Sequence, residues 1–282
     1  VVSIEGLAQA AQDARVDSGE ALLIHTSKSA LDQIVDGASG FVAGLRLAVG
    51  TSGTLVAPDF DYSHLRARSL STGNEADATI LPDHPYQRLA EEPRAAEALR
   101  GAVDVAEARH PVYSFVAAGR EAAFLTSTAP HAFPLGSSSI LEKLHQLNGR
   151  LLLVGCDHDE NSLLHLSEIW ADMPYARRAV EIEVEPDRWV EMAGAPGCVA
   201  GFRRIGPLLR QARIEKSVEV GSIVIRSMPV RQVVSLAIAV LQGSKDALLC
   251  HQPTCTWCQH ARTFTREAER LESVGRGLQR HE

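Results

Sequence analysis

The chain has 282 residues, 45% of them hydrophobic and 22% charged, with a formal net charge of -7. That length can bury a sizeable core, no apolar run approaches the ~20 residues of a membrane span, and the acidic balance argues against nucleic acid, which is bound through clustered Lys and Arg. The expectation is one domain over residues 1–282, cytoplasmic because VVSIEG shows neither the basic nor the apolar part of a secretory signal, with a cationic small molecule as the better-suited partner.

Leu7, Ala8, Ala11 and Ala14 recur at helical spacing, so residues 4–17 read as an amphipathic helix that Asp17, Ser18 and Gly19 break. Ala21–His25 is a short apolar run between turn residues, a buried strand entering the polar loop Thr26–Ser29. A helix over 39–49 ends at Gly50, and the turn Thr51–Gly53 leads into a second strand, Thr54–Ala57, closed by Pro58. This β-loop-α-β order places a loop at the carboxyl end of a strand, where open α/β sheets bind ligands.

Residues 59–110 are polar and irregular, with STGNEAD at 71–77 and a helix around Arg94–Leu99, and read as a substrate-side lid or insert. Val112–Ala118 is a further apolar segment ending at Gly119. A helix over 139–147 precedes the strand Arg150–Val154, and the following loop enters a helix with Asn161 as N-cap. Alternation in AVEIEVEP and VGSIVIRSM predicts strands, RQVVSLAIAVLQ predicts a largely buried helix, and residues 250–282 form a cysteine-bearing tail that is charged and helical from Glu267.

Three groups of residues could carry chemistry. Hydroxyls and Lys28 follow the first strand, and Gly37–Gly40 opens a helix, an arrangement that offers donors and positive charge to an anion; a capped polar loop is the plainer reading. His165 and Glu168 stand three apart on a helix and share a face, so the carboxylate can fix the imidazole's tautomer and stabilise its protonated form, as a general base requires. A solvated surface pair is the alternative there. Cys255 and Cys258 have C-x-x-C spacing suited to zinc, with Cys198 and His251 completing the set and His158 in reserve; buried inert thiols and a redox pair stay open.

Five segments in order, HTSKSAL at 25–31, VGTSGTLVAP at 49–58, ARHPVYSFVAAG at 108–119, SSSILEKLHQLNGRLLLVG at 137–155 and NSLLHLSE at 161–168, make the chain resemble the aminoglycoside 3-N-acetyltransferase family. The resemblance implies an α/β fold, a three-layer mixed-sheet sandwich with helices on both faces. It implies acetyl-CoA as co-substrate and direct attack by an amine of an amino sugar, aminoglycoside-like antibiotic or related metabolite. His25, Thr26, Ser27, Lys28, Ser29 and Ser139 correspond to the cofactor side, His165 to the catalytic histidine, Glu168 to the acidic residue one turn on, and Ser162 to the hydroxyl near the acyl carbonyl. The family's Arg-Ser before His-Pro is replaced by Glu107 and Ala108 ahead of Arg109, His110 and Pro111.

Asp59, Asp61 and Glu191 are the acidic candidates for a cationic acceptor. The other readings are a ligand-binding protein of the same fold without activity, a biosynthetic acyltransferase with a different acceptor, and a hydrolase or thiol-based enzyme; Cys156, near His165 in sequence, is the candidate nucleophile for an acyl-enzyme, though it stands at a strand end among apolar residues. A monomer or homodimer is expected.

Overall fold

The computed structural model describes residues 1–66 and 95–278, with side chains described up to residue 267. The first half of the main sheet grows from three apolar segments that run parallel. These are β1 (Ala21–Thr26), β2 (Thr54–Phe60) and β6 (Arg150–Val154), with β1 between the other two. Antiparallel additions complete seven strands: β5 (Tyr113–Gly119) and β4 (Val105–Ala108) beyond β2, and β10 (Ile223–Pro229) and β9 (Lys216–Val220) beyond β6.

Alternation along the central strands sends side chains to two separate cores, because successive residues of a strand face opposite sides. Leu22, Ile24, Leu152 and Val154 pack with α1 (Ile4–Asp13), α3 (Gly37–Val49) and α4 (Ala95–Arg100). Leu23, Leu151 and Leu153 pack with α5 (Ala122–Leu125), α6 (Ile140–Gln146), α7 (Leu163–Trp170), α8 (Ile205–Gln211) and α9 (Val230–Gly243). Apolar runs without polar alternation are therefore what the centre of this sheet demands, since both of its faces are covered. A small antiparallel sheet of β3 (Leu65–Arg66), β7 (Ala179–Glu185) and β8 (Arg188–Ala193) lies on the second side, contributing Val180, Ile182 and Met192 to that core.

Several boundaries depart from the sequence reading. The first helix stops at Asp13 rather than 17, with Arg15 already left-handed at φ 69. Pro58 does not close its strand: β2 registers with β1 only over Thr54–Val56 but continues along β5 to Phe60, so Pro58 sits where one side of the strand needs no donor. The described part of 59–110 is regular, containing β3, α4 and β4, whereas STGNEAD lies outside the described residues. The tail helix, α10 (Thr256–Leu278), starts well before Glu267. No helix among the described residues is long and apolar enough to cross a membrane.

Candidate active site

Because β1, β2 and β6 are parallel, their carboxyl ends meet at one edge of the sheet, and the loops after them converge there. The turn after β1 is tight: Ser27 caps the short helix α2 (Lys28–Leu31) by accepting from the Ala30 N–H at 3.2 Å. Gly155, just past β6, lets this turn approach. Its φ is +66°, and an added Cβ would lie 2.6 Å from the Ala30 Cβ and 2.8 Å from the Ser27 Oγ. The two loops are thereby pressed together, and the chain continues from Gly155 into α7.

Helix α7 carries three of the expected residues. His25, at the end of β1, has its Nε2 3.2 Å from the Ser162 Oγ. One turn further on, His165 Nδ1 lies 3.0 Å from Glu168 Oε2, with both side chains buried at 3% and 6% exposure. That burial overturns the reading of this pair as a solvated surface contact, since a low-dielectric setting is where a carboxylate governs an imidazole. Phe202 covers the ring at 4.8 Å between centroids. A small pocket beside the pair is lined by His165, Glu168, Tyr175, Gly194, Gly197 and Trp257. Burial, and then the Glu168 carboxylate, raise the Tyr175 phenol well above its ordinary range and keep it protonated.

A second buried contact anchors the start of α7. His158 Nε2 is 3.0 Å from Glu215 Oε2 with both side chains fully enclosed, His158 Nδ1 is 3.3 Å from Asn161 Nδ2, and Asn161 Oδ1 accepts from the Leu163 N–H. Asn161 thus does cap the helix through its side chain, although Ser162 is the residue at the boundary. His158 points at Glu215 and is not among the thiols near Cys198, so its reserve assignment as a metal ligand is corrected.

The cofactor-side residues divide into two kinds. Thr26, Ser27, Lys28 and Ser29 are partly or fully exposed at the sheet edge, Ser27 and Ser29 share a 3.0 Å hydroxyl contact, and Lys28 Nζ lies 2.6 Å from Asp32. His25 and Ser139 are not on that surface. Burial lowers His25 to about 3, so it stays neutral, with Ser162 as its side-chain partner. Ser139 is 1% exposed and spends its hydroxyl on Gly136 O at 2.5 Å and on the Leu141 N–H, capping α6.

Of the acidic candidates, Asp59 pairs with Arg100, which also bonds Glu107 at 2.8 Å, so this carboxylate already faces a cation of its own. Asp61 accepts from the Ser63 N–H and hydroxyl, capping a turn. Glu191 stands opposite Glu181 in the β7–β8 ladder, and Glu183 follows on the same face, two positions along. Glu181 and Glu183 escaped the sequence reading. Their signal was the alternation of AVEIEVE, which buries Val180 and Ile182 and so aligns the glutamates.

Cys156 cannot serve as a ready nucleophile: burial first, then the charge of Glu160, drives its thiol far up, and its Sγ points to His25 O at 3.5 Å. The other four cysteines meet. The sulfurs of Cys198, Cys250, Cys255 and Cys258 all lie within 4.8 Å of one another, and none forms a disulfide. His251 is corrected by this geometry: it is exposed, its Nδ1 3.4 Å from an Arg262 nitrogen, while the preceding Cys250 turns inward. The set fits zinc, since Zn–S bonds of about 2.3 Å require sulfurs about 3.8 Å apart, within an ångström of those found. Cys198 is pulled down by a hydrogen bond from Cys258, whose own thiol is pushed up by giving it, so the crowded thiols share their protons.

The chain as a whole is similar to known proteins. A family model described as aminoglycoside 3-N-acetyltransferase matches residues 23–242. The chain is 28% identical over 245 residues to aminoglycoside N(3)-acetyltransferase IV of Salmonella sp, covering 84% of this chain and 86% of that protein. The crystal structure of the AAC(3)-IVa apoenzyme superposes with a TM-score of 0.76 at 26% identity, covering 93% of this chain and 98% of the other. A histidine-to-alanine variant of that enzyme, solved in complex with a gentamicin, gives 0.74 at 26% identity over 93% and 97%. AAC-IIIb, solved in a binary complex with CoASH, shares the fold with a TM-score of 0.68 at 21% identity over 86% and 97%.

Proposed function

Since the chain belongs to the aminoglycoside 3-N-acetyltransferase family, we propose that it moves the acetyl group of acetyl-CoA to an amine of an aminoglycoside, with His165 as general base. The observation that carries the reading is the buried His165–Glu168 pair at 3.0 Å, beside a pocket that both residues line. An amine reaches the site mostly as ammonium, which has no lone pair to attack with, and His165 takes its proton. Glu168 stabilises the imidazolium that results, and Tyr175, kept protonated beside it, adds a polar group without a competing charge.

The free amine then attacks the thioester carbonyl: a C–N bond forms, the C–S bond breaks, and the proton held on His165 is available to the departing thiolate. Neutral His25 supports Ser162 in this step. With the His25 Nε2–H donating to the Ser162 Oγ, the serine O–H is left to donate to the oxygen where negative charge develops. Thr26, Ser27, Lys28 and Ser29 line the edge along which CoA lies. Glu181, Glu183 and Glu191 give the acceptor side the charge that a polycation needs.

The enzyme works as one domain, a monomer or homodimer in the cytoplasm where acetyl-CoA is available, with zinc at the cysteine group taking no part in the transfer. The test is thiol release from acetyl-CoA with and without a panel of aminoglycosides and simple amino sugars, alongside titration with CoA. Acceptor-dependent release is expected. CoA binding without turnover would leave only a ligand-binding protein of this fold, and release without acceptor would mean a hydrolase.

A further inference from the structure

The pocket beside His165 has a wall made of two strips, and a cysteine lies in or directly behind each. One strip is the loop Gly194–Gly197, followed at once by Cys198; the other is Trp257, set between Cys255 and Cys258. The strips are in intimate contact, because a Cβ on Gly197 would fall 1.9 Å from the Trp257 ring. Trp257 also meets Tyr175 edge-on at 5.6 Å. Behind them Gly201 presses on the backbone of Leu248 and Cys250, where an added Cβ would lie 2.1 Å from Leu248 O.

We propose that Cys198, Cys250, Cys255 and Cys258 bind one zinc ion as a four-thiolate structural centre, and that this centre clasps the carboxy-terminal helix to the acceptor wall, so that metal loading sets acceptor affinity.

Local chemistry suits a metal thiolate. The Cys250 N–H donates to Cys258 Sγ at 3.3 Å and the Cys258 N–H to Cys255 Sγ at 3.5 Å, orienting donors at sulfurs that become negative. Arg262 brings a guanidinium alongside, bonding Cys250 O at 2.6 Å and Cys258 O at 3.3 Å, with its Nε 3.8 Å from Asp246, so the positive charge beside the sulfurs is shared with that carboxylate. Each Zn–S bond that forms from a thiol releases its proton to solvent, with no change of oxidation state. An inert thiol cluster would need neither the inward turn of Cys250 nor sulfurs gathered from loops some fifty residues apart in the chain.

The clasp depends on the acetyltransferase reading only through acceptor affinity. Elemental analysis of the full chain should find about one zinc per molecule, with a tetrahedral thiolate spectrum after cobalt substitution. His251→Ala should keep its zinc and Cys250→Ser should lose it. Because Cys250→Ser could fail to fold, the folded wild type is also stripped with a chelator and reloaded. Stripping should expose the chain beyond residue 249 to protease and raise the acceptor KM about tenfold with kcat and CoA affinity close to unchanged, and zinc should reverse both. Wild type without metal, its thiols free or in disulfides, overturns the centre, as does zinc lost from His251→Ala. A stripped protein with native protease resistance and KM overturns the clasp. Failure of the catalytic reading would show separately, as a zinc-loaded chain without CoA binding or turnover.

Discussion

The two sides of this site are built in different ways. On the side we assign to the cofactor, two stretches each follow from their neighbours in sequence, a strand with its capped turn at 21–31 and, at 150–170, a strand, Gly155 and a helix entered at Ser162 and bearing His165 and Glu168, and the parallel pairing of β1 with β6 joins them. On the side we assign to the acceptor the wall is assembled from distant pieces, Tyr175, the 194–197 loop and Trp257 at the start of α10, drawn together by contacts between residues with no periodic relation. The first construction fixes chemistry rigidly and locally. On this assignment the second leaves acceptor recognition to long-range packing around a pocket that His165 and Glu168 also line.

The sharpest test of that division is His165→Ala. Losing a general base should lower kcat by about a hundredfold or more while CoA affinity stays close to wild type, since no cofactor-edge contact is removed. Near-normal turnover would show that the buried pair with Glu168 is structural and that the proton leaves by another route. Titration of CoA into the variant separates a lost base from a damaged fold.

Gly197→Ala strikes the other side. The added methyl must displace the Trp257 ring, an overpacking that costs about 1–3 kcal/mol and moves the wall. The acceptor KM should rise severalfold with CoA binding unchanged, the reverse of the His165→Ala pattern. If both variants damaged kcat alone, the two sides would not be separable.

A smaller effect is expected from Glu215→Gln, which weakens the contact holding His158 and, through it, the Asn161 cap on α7. Burial lifts the Glu215 carboxyl but hydrogen bonds from His158 and Ser217 outweigh it, leaving it below its ordinary range. The variant should lose stability and a few-fold in kcat together. Loss of stability alone, in a denaturant titration run beside the assay, would confine Glu215 to the core.

The contrast between the sides also explains what could be read in advance. Strand β6 was legible to the residue because an unbroken apolar run between polar turns has one reading at the centre of a covered sheet. The His165–Glu168 pair was legible because helical spacing alone brings the two together. Cys250 was not: one position separates it from His251, and which of the two turns inward belongs to tertiary packing, such as the close approach of Gly201 to the 248–250 backbone, which local spacing does not encode. His25 shows the same limit. Its place at a strand end is visible in sequence, but its burial against Ser162 comes from a helix 137 residues away.

That buried imidazole gives the mildest expected effect, a pH dependence. An unfolded chain takes up a proton at His25 near 6.5, whereas the folded chain refuses it until about 3. The unfolded state therefore binds more protons between those values, and stability falls as the pH is lowered through that window, by about 1.4 kcal/mol per pH unit well inside it. His25→Asn removes this contribution while keeping a polar group beside Ser162. Comparing denaturant midpoints at pH 7 and pH 5, the loss on acidification should be smaller in the variant than in wild type. An equal loss would mean that His25 takes up its proton as readily in the folded chain as in the unfolded one, and a charged imidazole at the end of β1 would then donate to Ser162 through Nε2.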